Sequence, residues 1–182
     1  MKCDAGGQVI WITGLSGAGK STLAGELVAR LRAERRSVVM LDGDELREVF
    51  GAAAANSQNH GREGRLALAL QYARLCKMIA AQGQTVVIAT ISLFREVHEW
   101  NRAHLPKYFE IYLKVPVEEL RRRDPKDIYR RFDAGELHNV AGLDLAIDEP
   151  LAADCLVEFN RERSSQRLAD DLLPKILRRN RL

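Results

Sequence analysis

Three cysteines in 182 residues, Cys3, Cys76 and Cys155, lack the spacing of a metal site or a redox pair. An odd, scattered set points to reduced thiols and a cytoplasmic setting. Long apolar runs are missing too: the stretch around Val86–Ala89 falls far short of a membrane span. Gly6 and Gly7 break the N-terminal stretch where the apolar core of a leader would lie. Nor is there an excess of one charge, since 28 basic against 25 acidic side chains leave +3, interspersed along the chain. That balance argues against nucleic acid or a membrane surface as the main partner. The one basic run, Arg178–Arg179–Asn180–Arg181, is terminal and reads as a solvated tail. Beyond the short Ala52–Ala55 run there is no repeat or low-complexity segment. An Asn-Lys-x-Asp guanine signature is absent, which argues against a GTPase switch. No aromatic-studded basic groove is visible either, which argues against a nucleic-acid 5′-kinase.

What is present begins at Val9. Val9 to Thr13 is β-leaning and mostly apolar, and it runs into Gly14–Leu15–Ser16–Gly17–Ala18–Gly19–Lys20–Ser21–Thr22. A helix-forming run, Leu23 to Glu34, follows directly. Strand, glycine-rich loop and helix in that order make Gly-x-x-x-x-Gly-Lys-Ser a phosphate-binding loop, where a glycine turn before a chance lysine would need neither flank. Its backbone N–H groups and the new helix dipole cradle phosphate. Lys20 reaches the outer phosphates, and the Ser21 hydroxyl can join a Mg²⁺ shell. A nucleoside triphosphate with Mg²⁺ is the expected ligand.

The rest of the chain alternates strand and helix. Ser37–Leu41 reads as a strand ending at Asp42–Gly43–Asp44, with a short helix beginning at Glu45. Gly51 to Gly61 reads as a loop, and Arg62 to Gln82 as a long helix with Gly83 as its C-cap. Thr85–Ile91 is a continuous apolar strand suited to a covered parallel sheet, ending at Ser92–Leu93–Phe94–Arg95. Glu96–His104 is helical, Phe109–Val115 a strand, and Val117–Arg122 a helix interrupted at Asp124–Pro125. Arg123 to Asp144 is polar and long for a connection, as a lid would be. Cys155–Phe159 supplies a fifth short strand, and Ser164–Arg178 a final amphipathic helix. One α/β domain over residues 1–182 is expected: a three-layer, right-handed, doubly wound parallel sheet. Ligands in such sheets sit at the C-terminal strand edges, where Asp42, Asp44 and Ser92 fall.

With these motifs in place, the chain resembles the adenylylsulfate kinase family from about Gln8 to Leu177. Leu41–Asp42–Gly43–Asp44 and Arg123–Asp124–Pro125–Lys126 carry the likeness beside the phosphate loop. Gly135–Glu136 and Gly142–Leu143–Asp144 fall at the family spacing. The resemblance implies a nucleotide-kinase-like fold and transfer of the ATP γ-phosphate to the 3′-hydroxyl of adenylylsulfate, in sulfate assimilation. Members are commonly dimers, so a homodimer is implied, although no segment here marks an interface. Asp44 matches the carboxylate that assists deprotonation of the acceptor or orders Mg²⁺ beside Ser21. Asp42 joins it on the acceptor side, Arg47 and Arg62 match arginines that hold the acceptor's phosphate, and Arg123 and Lys126 match lid residues that meet ATP. Ser92 matches the serine of an Ile-Ser-Pro-Tyr-Arg segment, here Ile91–Ser92–Leu93–Phe94–Arg95, which makes Leu93 and Phe94 acceptor-facing. Without the proline and tyrosine, Ser92 is expected to hydrogen-bond rather than to be phosphorylated.

The likeness fails on the base. The family holds adenine between two aromatic rings, and this chain has Ser57 at or near the first position and Val140 at the second. Gly61, Arg65 and Asp127 replace a family aspartate, asparagine and glycine. Two acceptors follow. One is adenylylsulfate in a variant pocket. The other is cytidine diphosphoramidate, the acceptor of family relatives in capsule modification, whose smaller base needs less aromatic surface. An ATP-dependent regulatory switch is the reading from another class, and 182 residues leave it no room for a second module.

Overall fold

The computed structural model describes residues 7–51 and 61–179. Cys3, the Ala52–Ala55 run, the Ser57 position and the tail from residue 180 lie outside the described residues. Five strands form one parallel sheet in the order β2-β3-β1-β4-β5. They are β1 (Gln8–Thr13), β2 (Val38–Asp42), β3 (Thr85–Ala89), β4 (Phe109–Lys114) and β5 (Cys155–Glu158). The helices are α1 (Lys20–Ala33), α2 (Gly43–Gly51), α3 (Arg62–Ala80), α4 (Arg95–His104), α5 (Val117–Arg123), α6 (Ile128–Asp133) and α7 (Ser165–Arg179).

The apolar strands have two buried faces, and alternation along each strand sorts the side chains between them. Ile10, Ile12, Val87 and Ile111 pack with Leu27 and Leu31 of α1 and Leu172 and Ile176 of α7. Val9, Trp11, Val86 and Ile88 pack on the other face with Tyr72, Ala73 and Cys76 of α3 and Val97 of α4. This is the three-layer α/β sandwich that the strand–helix alternation implies.

Several boundaries differ from the sequence expectation, and each difference bears on the site. Helix α1 starts at Lys20 rather than Leu23, so Lys20, Ser21 and Thr22 occupy its first turn, where unpaired N–H groups lie. Helix α2 starts directly at Gly43, leaving no loop between Asp42 and Asp44. A Cβ on Gly43 would sit 2.9 Å from Thr90 Oγ1, so only glycine lets β2 turn into α2 here. Strand β3 ends at Ala89, and Thr90 to Ser92 leave the sheet to line the cleft. The lid stretch contains a short helix of its own, α6.

Leu27 has no exposed surface and joins α1 to the sheet. Leu27→Ala is expected to cost about 2–5 kcal/mol of stability. Urea unfolding checks this as a lowered midpoint at unchanged slope.

Candidate active site

The head of α1 is the natural place for anionic phosphate, because Gly19 caps it in a left-handed conformation (φ 92°) that leaves open space around its Cα. Lys20 lies inside this turn, its Nζ donating to the Leu15 carbonyl at 2.8 Å. Burial drags the Lys20 ammonium down to about 8, against the raising pull of Asp44, with Lys126 adding repulsion and Asp42 attraction. Helix α1 packs back over β2 and β3, so its first turn meets the C-terminal end of β2. There the Ser21 hydroxyl donates to Asp42 Oδ2 at 2.5 Å, and the Asp44 N–H donates to Asp42 Oδ1 at 2.9 Å.

Sequence reasoning paired Ser21 with Asp44 as metal ligands; the structure instead sets Asp42 against Ser21. Asp44 is already in the first turn of α2, and its carboxylate meets the Lys126 ammonium from across the cleft. Burial alone would raise the Asp44 carboxyl, but the Lys126 hydrogen bond and charge, with Arg47 and Lys20, hold it below its ordinary value. Ser21 and Asp42 are adjacent hard oxygen donors, which suits Mg²⁺ completed by phosphate oxygens and water. No group of three or more His, Cys, Asp or Glu able to hold a metal is gathered among the described residues.

The 123–144 stretch lies on the phosphate loop. The Tyr129 hydroxyl of α6 donates to the Ser16 carbonyl at 3.0 Å, and Arg123 Nη1 reaches the Gly17 carbonyl at 3.4 Å. Burial pushes the Tyr129 phenol up to about 12, so it stays a donor at neutral pH. Arg123 also stacks over Phe159 at 4.8 Å and is held by Glu119 Oε1 at 2.8 Å. Glu119 is buried and also receives Arg122 and Arg161; these guanidiniums, Arg122 foremost, hold its carboxyl far below the usual range. Arg123 and Phe159 line a side cavity of about 260 Å³ beside Gly19 and Thr22. The far end of the lid closes on the loop as well: a Cβ on Gly142 (φ 81°) would meet Leu15 at 2.9 Å.

Together these residues enclose a cleft of about 610 Å³, running from Ser16 to Thr22 past Asp42 and Asp44 to Lys126. A smaller cavity of about 40 Å³ continues from it, lined by Arg47, Arg65, Tyr72, Ser92, Leu93 and Phe94 among others. The Ser92 hydroxyl is buried 2.9 Å from that of Thr90. Val140 is buried on the cleft side, and the Asp144 carboxylate fixes its turn by accepting the Val140 N–H at 2.6 Å and the Asn139 N–H at 2.7 Å. Arg62 lines neither cavity. Its guanidinium donates to both Glu96 oxygens at 3.1 Å and to Asp148 at 3.0 Å, above the Phe94 ring.

Known proteins agree with this geometry. The family model for adenylylsulphate kinase matches residues 6–158. The chain belongs to the adenylylsulphate kinase family. It is a phosphotransferase acting on an alcohol group. Cytidine diphosphoramidate kinase of Campylobacter jejuni is 35% identical over 168 residues, covering 92% of this chain and 95% of that protein. Adenylyl-sulfate kinase of Pseudomonas aeruginosa is 32% identical over 152 residues, covering 82% of this chain and 76% of that one. Among solved structures, the Mycobacterium tuberculosis APS kinase with AMPPNP and APS superimposes with a TM-score of 0.84 at 28% identity, covering 95% and 98% of the two chains.

Sequence reading missed Tyr72, Asp148 and Glu119. Tyr72 was legible, because Arg65, Leu68, Ala69 and Tyr72 recur at one-face helical spacing and all line the small cavity. Asp148 acts through distant partners and carried no local signal, whereas Glu119 stands three and four residues ahead of Arg122 and Arg123, a helical pairing the sequence did carry. Bound triphosphate places negative charge beside Lys20 and raises its pKa from about 8. ATP binding is therefore expected to take up almost no proton through Lys20 well below pH 8 and to approach one proton above pH 9. Calorimetry in buffers of different ionisation enthalpy measures the uptake, which Lys20→Arg should abolish.

Proposed function

We propose that this kinase moves the γ-phosphate of ATP to a ribose 3′-hydroxyl of a small nucleotide, and that the acceptor is cytidine diphosphoramidate rather than adenylylsulfate. The observation that carries the acceptor choice is the aliphatic Val140 on the wall of the large cleft, at the position where the family resemblance places an aromatic ring. Stacking on aromatic rings contributes about 1–3 kcal/mol per base, so loss of a ring weighs against the larger adenine. Near-full-length similarity to the Campylobacter jejuni enzyme supports the same reading.

In this reading the phosphate loop and Lys20 hold the donor's outer phosphates, and Ser21 and Asp42 would hold Mg²⁺, which would supply positive charge against the transferring group. Asp44, in the first turn of α2 just past the end of β2, receives the proton of the attacking hydroxyl. The lid keeps water out and brings Lys126 to the transferring phosphoryl group. Drawing Lys126 from Asp44 to that group also frees the carboxylate to accept a proton, since its pairing with Lys126 is what lowers its basicity. Arg123, held by Glu119, provides a flat cationic face for the donor's base beside Phe159.

Adenylylsulfate remains the second reading, supported by the family model and the Pseudomonas aeruginosa relative. Purified protein given Mg-ATP with each acceptor should show kcat/KM at least about tenfold higher for the cytidine compound. Efficient turnover of adenylylsulfate with none of cytidine diphosphoramidate overturns the acceptor choice, and acceptor-independent ATP hydrolysis overturns the kinase reading. Asp44→Asn is expected to lower kcat by about 10²–10⁴ while leaving the KM for ATP near its parental value. Steady-state kinetics with the preferred acceptor check this.

A further inference from the structure

His98 of α4 lines none of these cavities, yet its ring joins a buried carboxylate to one of their walls. Nδ1 lies 2.8 Å from Glu110 Oε1 in β4, and Nε2 lies 3.2 Å from the backbone carbonyl of Asp148. A carbonyl can only accept, so Nε2 carries hydrogen. Glu110 is buried, and donors already meet both of its oxygens. The Tyr108 hydroxyl reaches Oε1 at 2.8 Å, and Arg102 of α4 faces Oε2 at 3.5 Å. Burial, and then the Glu110 charge, push the Tyr108 phenol well up, so it stays a donor. Nδ1 therefore donates as well, and the surroundings are those of a ring protonated on both nitrogens. The other charged groups around it have partners of their own. Asp154 accepts from the Glu110 N–H, from Arg102 and from Arg179 of α7, while the Asp148 carboxylate accepts from Arg62 of α3 and the Arg95 N–H. The Asp148 N–H donates to the Leu93 carbonyl. Ala146 and Ile147, which precede Asp148, wall the small cavity with Leu93 and Phe94.

We propose that His98 is a positioning residue for the acceptor: as a double donor it clasps the cavity wall to the buried Glu110, and losing its proton opens the clasp. A neutral ring has one hydrogen for two acceptors. The charge-assisted bond to Glu110 is the stronger, so the hydrogen stays on Nδ1 and the bond to Asp148 is given up. A lone pair on Nε2 then faces the Asp148 carbonyl, and the Ala146–Ile147 wall loses an anchor. The clasped form is the protonated one, so acceptor binding weakens as rising pH removes that proton. This rests on the reading of Leu93 and Phe94 as acceptor-facing. In Glu110→Gln protein the competition disappears, because a neutral ring keeps its Nε2 hydrogen on Asp148 while Nδ1 accepts from the amide.

Hydrogen exchange at the Asp148 and Arg95 amides of the full chain reads the clasp without any ligand. Their protection, corrected for the intrinsic pH dependence of exchange, is expected to fall at least about fivefold in the parent protein between about pH 5 and 9. In Glu110→Gln protein it is expected to stay within about twofold over that range, and in His98→Phe protein to be low throughout. The KM for the acceptor preferred in the kinase assay is expected to follow the same pattern. It should rise at least about threefold with pH in the parent relative to Glu110→Gln protein, while kcat follows one pH profile in both. Protection in the parent that ignores pH overturns the proposal, as does an equal response in Glu110→Gln protein. The parent series decides this whether or not the His98→Phe chain folds. A response in protection that the acceptor KM does not share overturns the positioning role. Absent turnover on either acceptor counts against the proposed function alone, because exchange reads the clasp and not transfer.

Discussion

A lysine ammonium held out of water at the head of α1 is the constraint to which the rest of the cleft answers. Burial strips its solvation, and the nearby carboxylates offset only part of the loss. The position is tolerable because a backbone carbonyl accepts a hydrogen bond from it. Asp42 and Asp44 take their places relative to that charge, one against the Ser21 hydroxyl and one against the lid lysine. The lid closes over the same point through Tyr129, Arg123 and Gly142.

The phosphate half of the site was legible in the sequence because it is local. A strand, a glycine-rich loop and a helix in immediate succession place Lys20 and Ser21 without help from the rest of the chain. The sheet was legible for a related reason: strands apolar on both faces, such as Val86–Ala89, fit only a covered parallel sheet. What sequence alone could not assign was which carboxylate faces Ser21, since that depends on α2 beginning at Gly43 with no intervening loop. The fate of Arg62 was equally hidden. Its carboxylates lie on α4 and in the segment after the lid, 34 and 86 residues away.

The small cavity is assembled from pieces far apart in the chain: α2, the start of α3, the turn after β3 and the segment around Leu145. Long-range assembly is bound together by Asp148, which ties that last segment to the backbone of Leu93 and Arg95 and to the Arg62 side chain. Glu119 does comparable work on the donor side, where one buried carboxylate gathers three arginines and fixes the one that faces the nucleotide cavity. Neither residue needs to touch a reacting atom to matter. Both set where a guanidinium can be.

The two halves are also written in different materials. The phosphate cradle is mainly main-chain amide, which no ordinary substitution deletes, whereas the acceptor wall on α3 is a short ladder of side chains at Arg65, Leu68, Ala69 and Tyr72. Exchanging those rungs leaves the helix and its hydrogen bonds in place. Descent with modification can thus redirect such a scaffold to a new metabolite by drift on one helical stripe, keeping its catalytic engine untouched throughout.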